Sequence, residues 1–223
     1  VHDASLGLLE LGVAPGDRVG ILSENRPEWA YTDYACLAAR CADVPVYPTL
    51  PAKQVEYILR DSGAVVVCVS TAVQLRKIQE IRAALPALRQ VIVFDEDIKE
   101  PGVIRWSELL ARGRAARPKY AQWQTEALLV KPGDLATIIY TSGTTGEPKG
   151  VMLTHGNIAS NVCPCAPLLE ISDRDECLSL LPLSHIFERM AGHYQMYNSG
   201  VVINYAESID ALAGNLIEVR PTI

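Results

Sequence analysis

Six consecutive apolar residues, Ala64-Val-Val-Val-Cys-Val69, sit between Gly63 and Ser70. The run is far shorter than the ~20 residues that cross a bilayer, and its lack of polar alternation suits a strand covered on both faces. The segments around it alternate between strand-like and helix-like patterns. Arg18–Ser23 reads as a strand after the turn Pro15-Gly16-Asp17, and Pro27–Ala42 as a helix with proline in its first turn. Val44–Tyr47 reads as a strand, Ala52–Asp61 as a helix stopped by Ser62-Gly63, Ala72–Ala84 as a helix ending near Pro86, and Gln90–Phe94 as a strand. Strands follow at Leu135–Tyr140, Val151–Leu153, Cys177–Leu181 and Val201–Asn204, with helices near His155–Leu169, Ile186–Asn198 and Ile209–Val219. Repeated strand–helix alternation predicts an α/β fold, a mostly parallel sheet with helices on both faces. Residues 95–133 are less regular. They hold Pro101-Gly102, a helical patch at Ser107–Arg112, a basic stretch at Arg112–Lys119 and Lys131-Pro-Gly133, and read as an internal connection.

At 223 residues with 49% hydrophobic content, the chain is long enough to bury a substantial core. Its 20 Lys and Arg against 26 Asp and Glu give a net charge of -6 without a basic cluster, which argues against nucleic acid as a partner. The expectation is a soluble, cytoplasmic protein with no transmembrane segment. Peripheral contact with a membrane and assembly into homo-oligomers stay open. The six cysteines contain no CxxC pair and the four histidines no HExxH, so structural zinc is not expected and the thiols read as reduced.

The segment richest in chemistry is Tyr140-Thr-Ser-Gly-Thr-Thr-Gly-Glu-Pro-Lys-Gly150, directly after a strand. Gly143 and Gly146 permit conformations and close approaches that a Cβ forbids. Ser142, Thr144 and Thr145 bring hydroxyls, and Lys149 brings a positive charge, so the set suits an oligophosphate. It is not a GxxxxGK[ST] loop, because Pro148 and Gly150 stand where glycine and a hydroxyl residue are needed. Nor is it a Gly-x-Ser-x-Gly elbow, because position 140 is tyrosine.

Thr141-Ser-Gly-Thr-Thr-Gly-Glu-Pro-Lys-Gly150 resembles the signature loop of the adenylate-forming superfamily: acyl-CoA synthetases, peptide-synthetase adenylation domains and luciferases. Leu181-Pro-Leu-Ser-His-Ile-Phe-Glu-Arg-Met190 resembles the next motif in the form carried by long-chain fatty acyl-CoA synthetases. Gly16-Asp-Arg-Val-Gly-Ile-Leu-Ser-Glu-Asn-Arg-Pro-Glu-Trp29 and Val46-Tyr-Pro-Thr49 are similar to their amino-terminal portion. The resemblance implies the amino-terminal portion of the adenylate-forming fold over residues 1–223, and a two-step reaction using ATP, Mg²⁺ and coenzyme A on a long-chain fatty acid. In this reading Thr141, Ser142, Gly143, Thr144, Thr145, Gly146 and Lys149 bind the nucleotide phosphates, and Thr145 stands near the metal. Lys149 and His185 are the candidate catalytic residues, His185 falling where the family lines the acyl site. Glu188 and Arg189 match the long-chain pattern and equally fit a solvated helix surface; His155 reads as structural. The family's Tyr-Gly-x-Thr-Glu segment, ribose-binding aspartate and lid lysine are not found up to Ile223, so the expectation is a truncated portion that forms no acyl-CoA alone. An aryl- or medium-chain ligase and a non-catalytic phosphate-binding module remain alternatives.

Overall fold

The computed structural model describes residues 1–141 and 146–223. Its centre is the apolar run: β3 (Val66–Val69) is buried at all four positions, with Val66 and Cys68 facing one core cluster and Val67 and Val69 the other. A strand alternates its side chains between faces, so an unbroken apolar run supplies both cores at once.

The chain enters through α1 (His2–Glu10) and β1 (Arg18–Leu22), followed by α2 (Pro27–Ala38) and β2 (Ala42–Val46). After β2 come α3 (Ala52–Ser62), β3, α4 (Ala72–Ile81) and β4 (Gln90–Val93). These four strands pair in parallel, and helices cover both faces of the sheet. Val55, Ile58 and Leu59 of α3 with Leu75 and Ile78 of α4 pack on one face. Ala4 and Leu8 of α1 with Ala35 and Cys36 of α2 pack on the other. The expected helix through Ala42 ends earlier: Ala38 is its last residue and Arg40 turns with φ 59°. Residue 42 therefore already belongs to β2, where Ala42 pairs with Arg18.

The largest departure from the sequence reading lies in 95–133. β5 (Val103–Arg105) pairs with β4 and extends the parallel sheet; α5 (Trp106–Ala116) and the short α6 (Trp123–Ala127) follow. The helical patch at Ser107–Arg112 lies inside α5, whose Leu109 is buried. A strand of three residues with one buried position is too short to announce itself by pattern, and pairing with β4 is what makes it a strand.

β6 (Leu135–Thr141) adds in parallel beside β2, and β7 (Lys149–Thr154) pairs antiparallel with β6 as the far edge. The order is β5-β4-β3-β1-β2-β6-β7. α7 (His155–Cys165) follows, opened by a capping box between Thr154 and Asn157. β8 (Glu176–Ser179) and β9 (Val202–Tyr205) make a separate parallel pair. Between them runs a continuous helical stretch, 186–198, built of Ile186–Glu188, a π-helical Arg189–Gln195 and Met196–Asn198. Leu212–Val219 is the last helix. The cysteines are free thiols, with Cys163 and Cys165 exposed and the other four buried. No helix among the described residues is long and apolar enough to cross a membrane.

Candidate functional site

β2 and β6 are parallel, so their carboxyl ends open on the same edge of the sheet, where open α/β sheets take ligands. Tyr47 follows β2, and Ile139, Tyr140 and Thr141 close β6. With Gln54 and Ile58 of α3, Gly146–Pro148 after the loop, and His185 and Ile186, they line a cleft of about 590 Å³. That volume lies in the ~300–1,000 Å³ range of small-ligand sites. The cleft brings Thr141, Gly146 and His185 together. Gly146 has φ 140°, a conformation open to glycine and strained for any residue with a Cβ. Lys149 is exposed on the first residue of β7, opposite Thr141 in the hairpin register and outside the cleft lining. Ser142, Gly143, Thr144 and Thr145 lie outside the described residues.

The cleft walls are braced by polar side chains. Lys77 of α4 donates to the Pro48 carbonyl at 2.6 Å and the Leu50 carbonyl at 2.9 Å, which fixes the turn leaving β2. The Tyr140 hydroxyl donates to Asp61 at 2.6 Å, and burial together with that carboxylate pushes the phenol pKa up. Asn25 holds the approach to His185 from both sides, donating to the Leu181 carbonyl at 2.7 Å and accepting from the Leu183 amide at 2.9 Å. His185 itself is exposed and stands at the amino-terminal cap of the 186–198 helix. Its Nδ1 accepts from the Phe187 amide at 3.2 Å, so the neutral ring carries its proton on Nε2.

One turn further along the same helix the structure corrects a reading. Glu188 and Arg189 are not a solvated surface: Glu188 is 7% exposed and Arg189 fully buried. Neighbours on a helix point apart, and these two find different partners. Glu188 accepts from the Ser179 hydroxyl at 2.6 Å, and burial raises its pKa. Arg189 donates to Thr137 of β6 at 2.7 Å, to Asp43 of β2 at 2.8 Å and to Asp33 of α2. It also donates to the Tyr194 hydroxyl, which in turn donates to Asp33 at 3.0 Å, while His193 Nε2 lies 3.0 Å from the other Asp33 oxygen.

The two aspartates respond differently to this shared cation. Burial alone would raise Asp33, but Arg189 and the hydrogen bonds of His193 and Tyr194 outweigh it and hold the carboxyl below its usual range. Asp43 is pushed up to about 6 by burial, with the Asp33 charge adding and Arg189 opposing. Its second oxygen has no hydrogen-bond partner among the described residues. Asp33, Asp43, Thr137 and Tyr194 carry no local motif and escape a sequence reading. The available signal is a charged residue inside an otherwise apolar element, as Asp43 is within Ala42–Val46.

Beside this helix, Val162, Cys165, Leu169, Phe187, Met190 and Ala191 line an apolar cavity of about 210 Å³ against α7. Gln54, Thr141, Glu147 and His185 put polar side chains on an otherwise largely apolar cleft lining, and a separate apolar recess lies further along the helix that follows His185. Among the described residues no cluster of three or more His, Cys, Asp or Glu is placed to hold a metal ion.

A family model described as AMP-binding enzyme matches residues 1–223. The chain is 35% identical over 227 residues to the peroxisomal long chain acyl-CoA synthetase 7 of Arabidopsis thaliana, covering 97% of this chain and 31% of that protein. It is 35% identical over 226 residues to a long-chain-fatty-acid–CoA ligase of Mycobacterium tuberculosis, covering 100% and 36%. The chain thus spans about a third of the length of the curated relatives it matches. Among solved structures, a long-chain-fatty-acid–CoA ligase of Archaeoglobus fulgidus superposes with a TM-score of 0.82 at 26% identity, covering 99% of this chain and 41% of that one. A fatty acyl CoA synthetase of Mycobacterium tuberculosis superposes with a TM-score of 0.80 at 26% identity, covering 99% and 40%.

Proposed function

The chain belongs to the AMP-binding enzyme family, and from that premise we propose that it carries part of the adenylation site of a long-chain fatty acid–CoA ligase, residues 1–223 forming an amino-terminal portion of the AMP-binding domain. The observation that carries the proposal is the cleft that gathers Thr141, Gly146 and His185 at the carboxyl ends of β2 and β6. The activity is activation of a fatty carboxylate with ATP and transfer of the acyl group to coenzyme A. In the first step a carboxylate oxygen attacks the α-phosphorus, the bond to the β-phosphate oxygen breaks, and pyrophosphate leaves. In the second the coenzyme A thiolate attacks the acyl carbon and AMP leaves with the former carboxylate oxygen.

Negative charge grows on the departing phosphates, and groups fixed in advance around them stabilise the transition state more than the ground state. We assign that task to Ser142, Thr144, Thr145 and Lys149, with Thr141 at the start of the loop also binding the phosphates and Gly143 and Gly146 letting the backbone approach. Mg²⁺, held by phosphate oxygens and the Thr145 hydroxyl, would supply further charge neutralisation. Lys149 reaches the phosphates from the hairpin rim, where its exposed position leaves the ammonium free to move with the nucleotide. His185 presents Nε2–H at the cleft wall and orients the carboxylate, while Phe187, Met190 and Ala191 take the first part of the hydrocarbon. Each methylene removed from water there is worth about 0.8 kcal/mol, which favours long chains over short. The compartment we propose is the cytoplasm, where the exposed Cys163 and Cys165 stay reduced.

The test is palmitate-dependent pyrophosphate release and palmitoyl-CoA formation by the natural chain that carries these residues. Lys149→Ala should lower the rate of pyrophosphate release by roughly tenfold to a thousandfold, the scale of one lost electrostatic donor. Absence of fatty-acid-dependent pyrophosphate release from the unsubstituted full-length protein that carries these residues overturns the ligase reading. An unchanged rate in the variant removes Lys149 from the mechanism.

A further inference from the structure

Arg189 sits where the walls of the cleft converge. Asp43 and Thr137 are the register partners at which β2 meets β6, and Arg189 donates to both. From Thr137, β6 runs on to Ile139, Tyr140 and Thr141 in the cleft wall; from Asp43, β2 runs on to Tyr47. The Arg189 amide donates to the His185 carbonyl at 3.1 Å, so the guanidinium lies one turn from the third wall. Its remaining bonds go to Asp33 of α2 and to Tyr194 of its own helix. The helix departs from α geometry over Arg189–Gln195, and a π-helical turn shifts which residues share a face. Here Arg189, His193 and Tyr194 all reach Asp33.

Stability alone is a poor explanation for this cluster. Desolvating an arginine and two carboxylates costs several kcal/mol per ion, and well-packed apolar residues commonly serve the core as well or better. What an apolar residue or a lysine cannot supply is direction. The guanidinium is a rigid planar fork whose donors fix the angles between the groups they bind, whereas an ammonium is a point charge on a flexible stem.

We propose that Arg189 is a positioning residue for the adenylation site: through Thr137, Asp43 and Asp33 it ties β6, β2 and α2 to its own helix behind His185 in one geometry, so that the phosphate-binding rim and His185 face each other at a fixed distance. Its kinetic consequence rests on the ligase reading given above; its geometric consequence does not. Arg189, Asp33, Asp43, Thr137 and Tyr194 contribute nothing to the cleft lining, so losing the cluster should act on alignment and not on nucleotide affinity.

The experiment is hydrogen–deuterium exchange together with pyrophosphate-release kinetics on the natural chain and its Arg189→Lys variant. Exchange should rise by about tenfold in peptides covering Tyr47, Ile139–Thr141 and His185–Ile186, while β3 and β4 keep their protection. The maximal rate should fall by roughly a hundredfold with KM for ATP near its original value, as for reacting groups misplaced by about 1 Å. Should Arg189→Lys not fold, the charge-neutral variant Asp33→Asn/Asp43→Asn/Arg189→Met keeps the volume, removes the unpaired carboxylates and is read in the same way. Faster exchange spread evenly over the sheet, or no change at the cleft segments, overturns the positioning role. An unsubstituted full-length protein that releases no pyrophosphate overturns the ligase reading, and the exchange pattern still decides the role of Arg189.

Discussion

Replacing Gly113 with alanine sets two opposed effects against each other, and the structure decides which wins. Gly113 lies in α5, and a Cβ built there would stand 1.7 Å from the carbonyl oxygen of Asp3 in α1. At Gly7, on the facing helix, a Cβ would stand 2.5 Å from the Leu109 carbonyl oxygen, so the two helices pack backbone against backbone. No rotamer relieves a clash with a main-chain oxygen; the helices must part until the separation roughly doubles. Overpacking of this kind costs about 1–3 kcal/mol and occasionally more. Against it, alanine is favoured over glycine in a helix by about 1 kcal/mol. With the clash at the severe end of its range, the net loss should be about 2 kcal/mol. For a chain of this size that lowers Tm by roughly 4–8 °C. Gly214, in the last helix, is the control. Nothing lies within 4 Å of its added Cβ, so Gly214→Ala should gain about 0.5–1 kcal/mol. Differential scanning calorimetry on the two variants reads both signs. A Gly113→Ala protein as stable as the parent, or more so, would refute the docking of α5 on α1 and with it the structural reading of 95–133.

The stability of the fold should also depend on pH through Asp43. Its folded-state pKa of about 6 is above the ordinary 3.8, so between these values the native state holds a proton that the unfolded chain has released, and stability falls as pH rises. Glu188, raised by burial, adds in the same sense, whereas Asp33 is lowered and acts oppositely below 3.8. His155, lowered by burial from its ordinary 6.5, acts oppositely to Asp43 in the same window, so the prediction is a difference: between pH 4 and 6.5 the urea midpoint should fall more, or rise less, in the parent than in Asp43→Asn, and an identical slope in both proteins would place the titration elsewhere. Native thiol titration should find the exposed Cys163 and Cys165 reacting quickly and the buried Cys36, Cys41, Cys68 and Cys177 only on unfolding. A third fast thiol would contradict the packing of the cores.

What the sequence made legible follows a physical division. Runs such as Val66–Val69 and the turn chemistry around Gly63 act within a few residues, so the parallel sheet, its helices and the position of the loop after β6 could be read directly. β5 could not, because its three residues become a strand by lying beside β4, not by any preference of Val-Ile-Arg. The same limit applies more sharply to the site. Arg189 meets Asp33 across 156 positions and Asp43 across 146, and no periodicity connects residues so far apart. The motif containing His185 and Arg189 could be recognised while the reason for its arginine could not. His185 lines the cleft from the cap of a helix whose next turn carries the buried guanidinium, so in the proposed site a single short segment would supply one group for the ligand and another for the frame that aims it. On that proposal a costly buried cation has a use beside a site whose own residues are exposed. Exposed groups such as Lys149 and His185 pay little desolvation before a ligand arrives, and their alignment must then come from atoms that water does not reach.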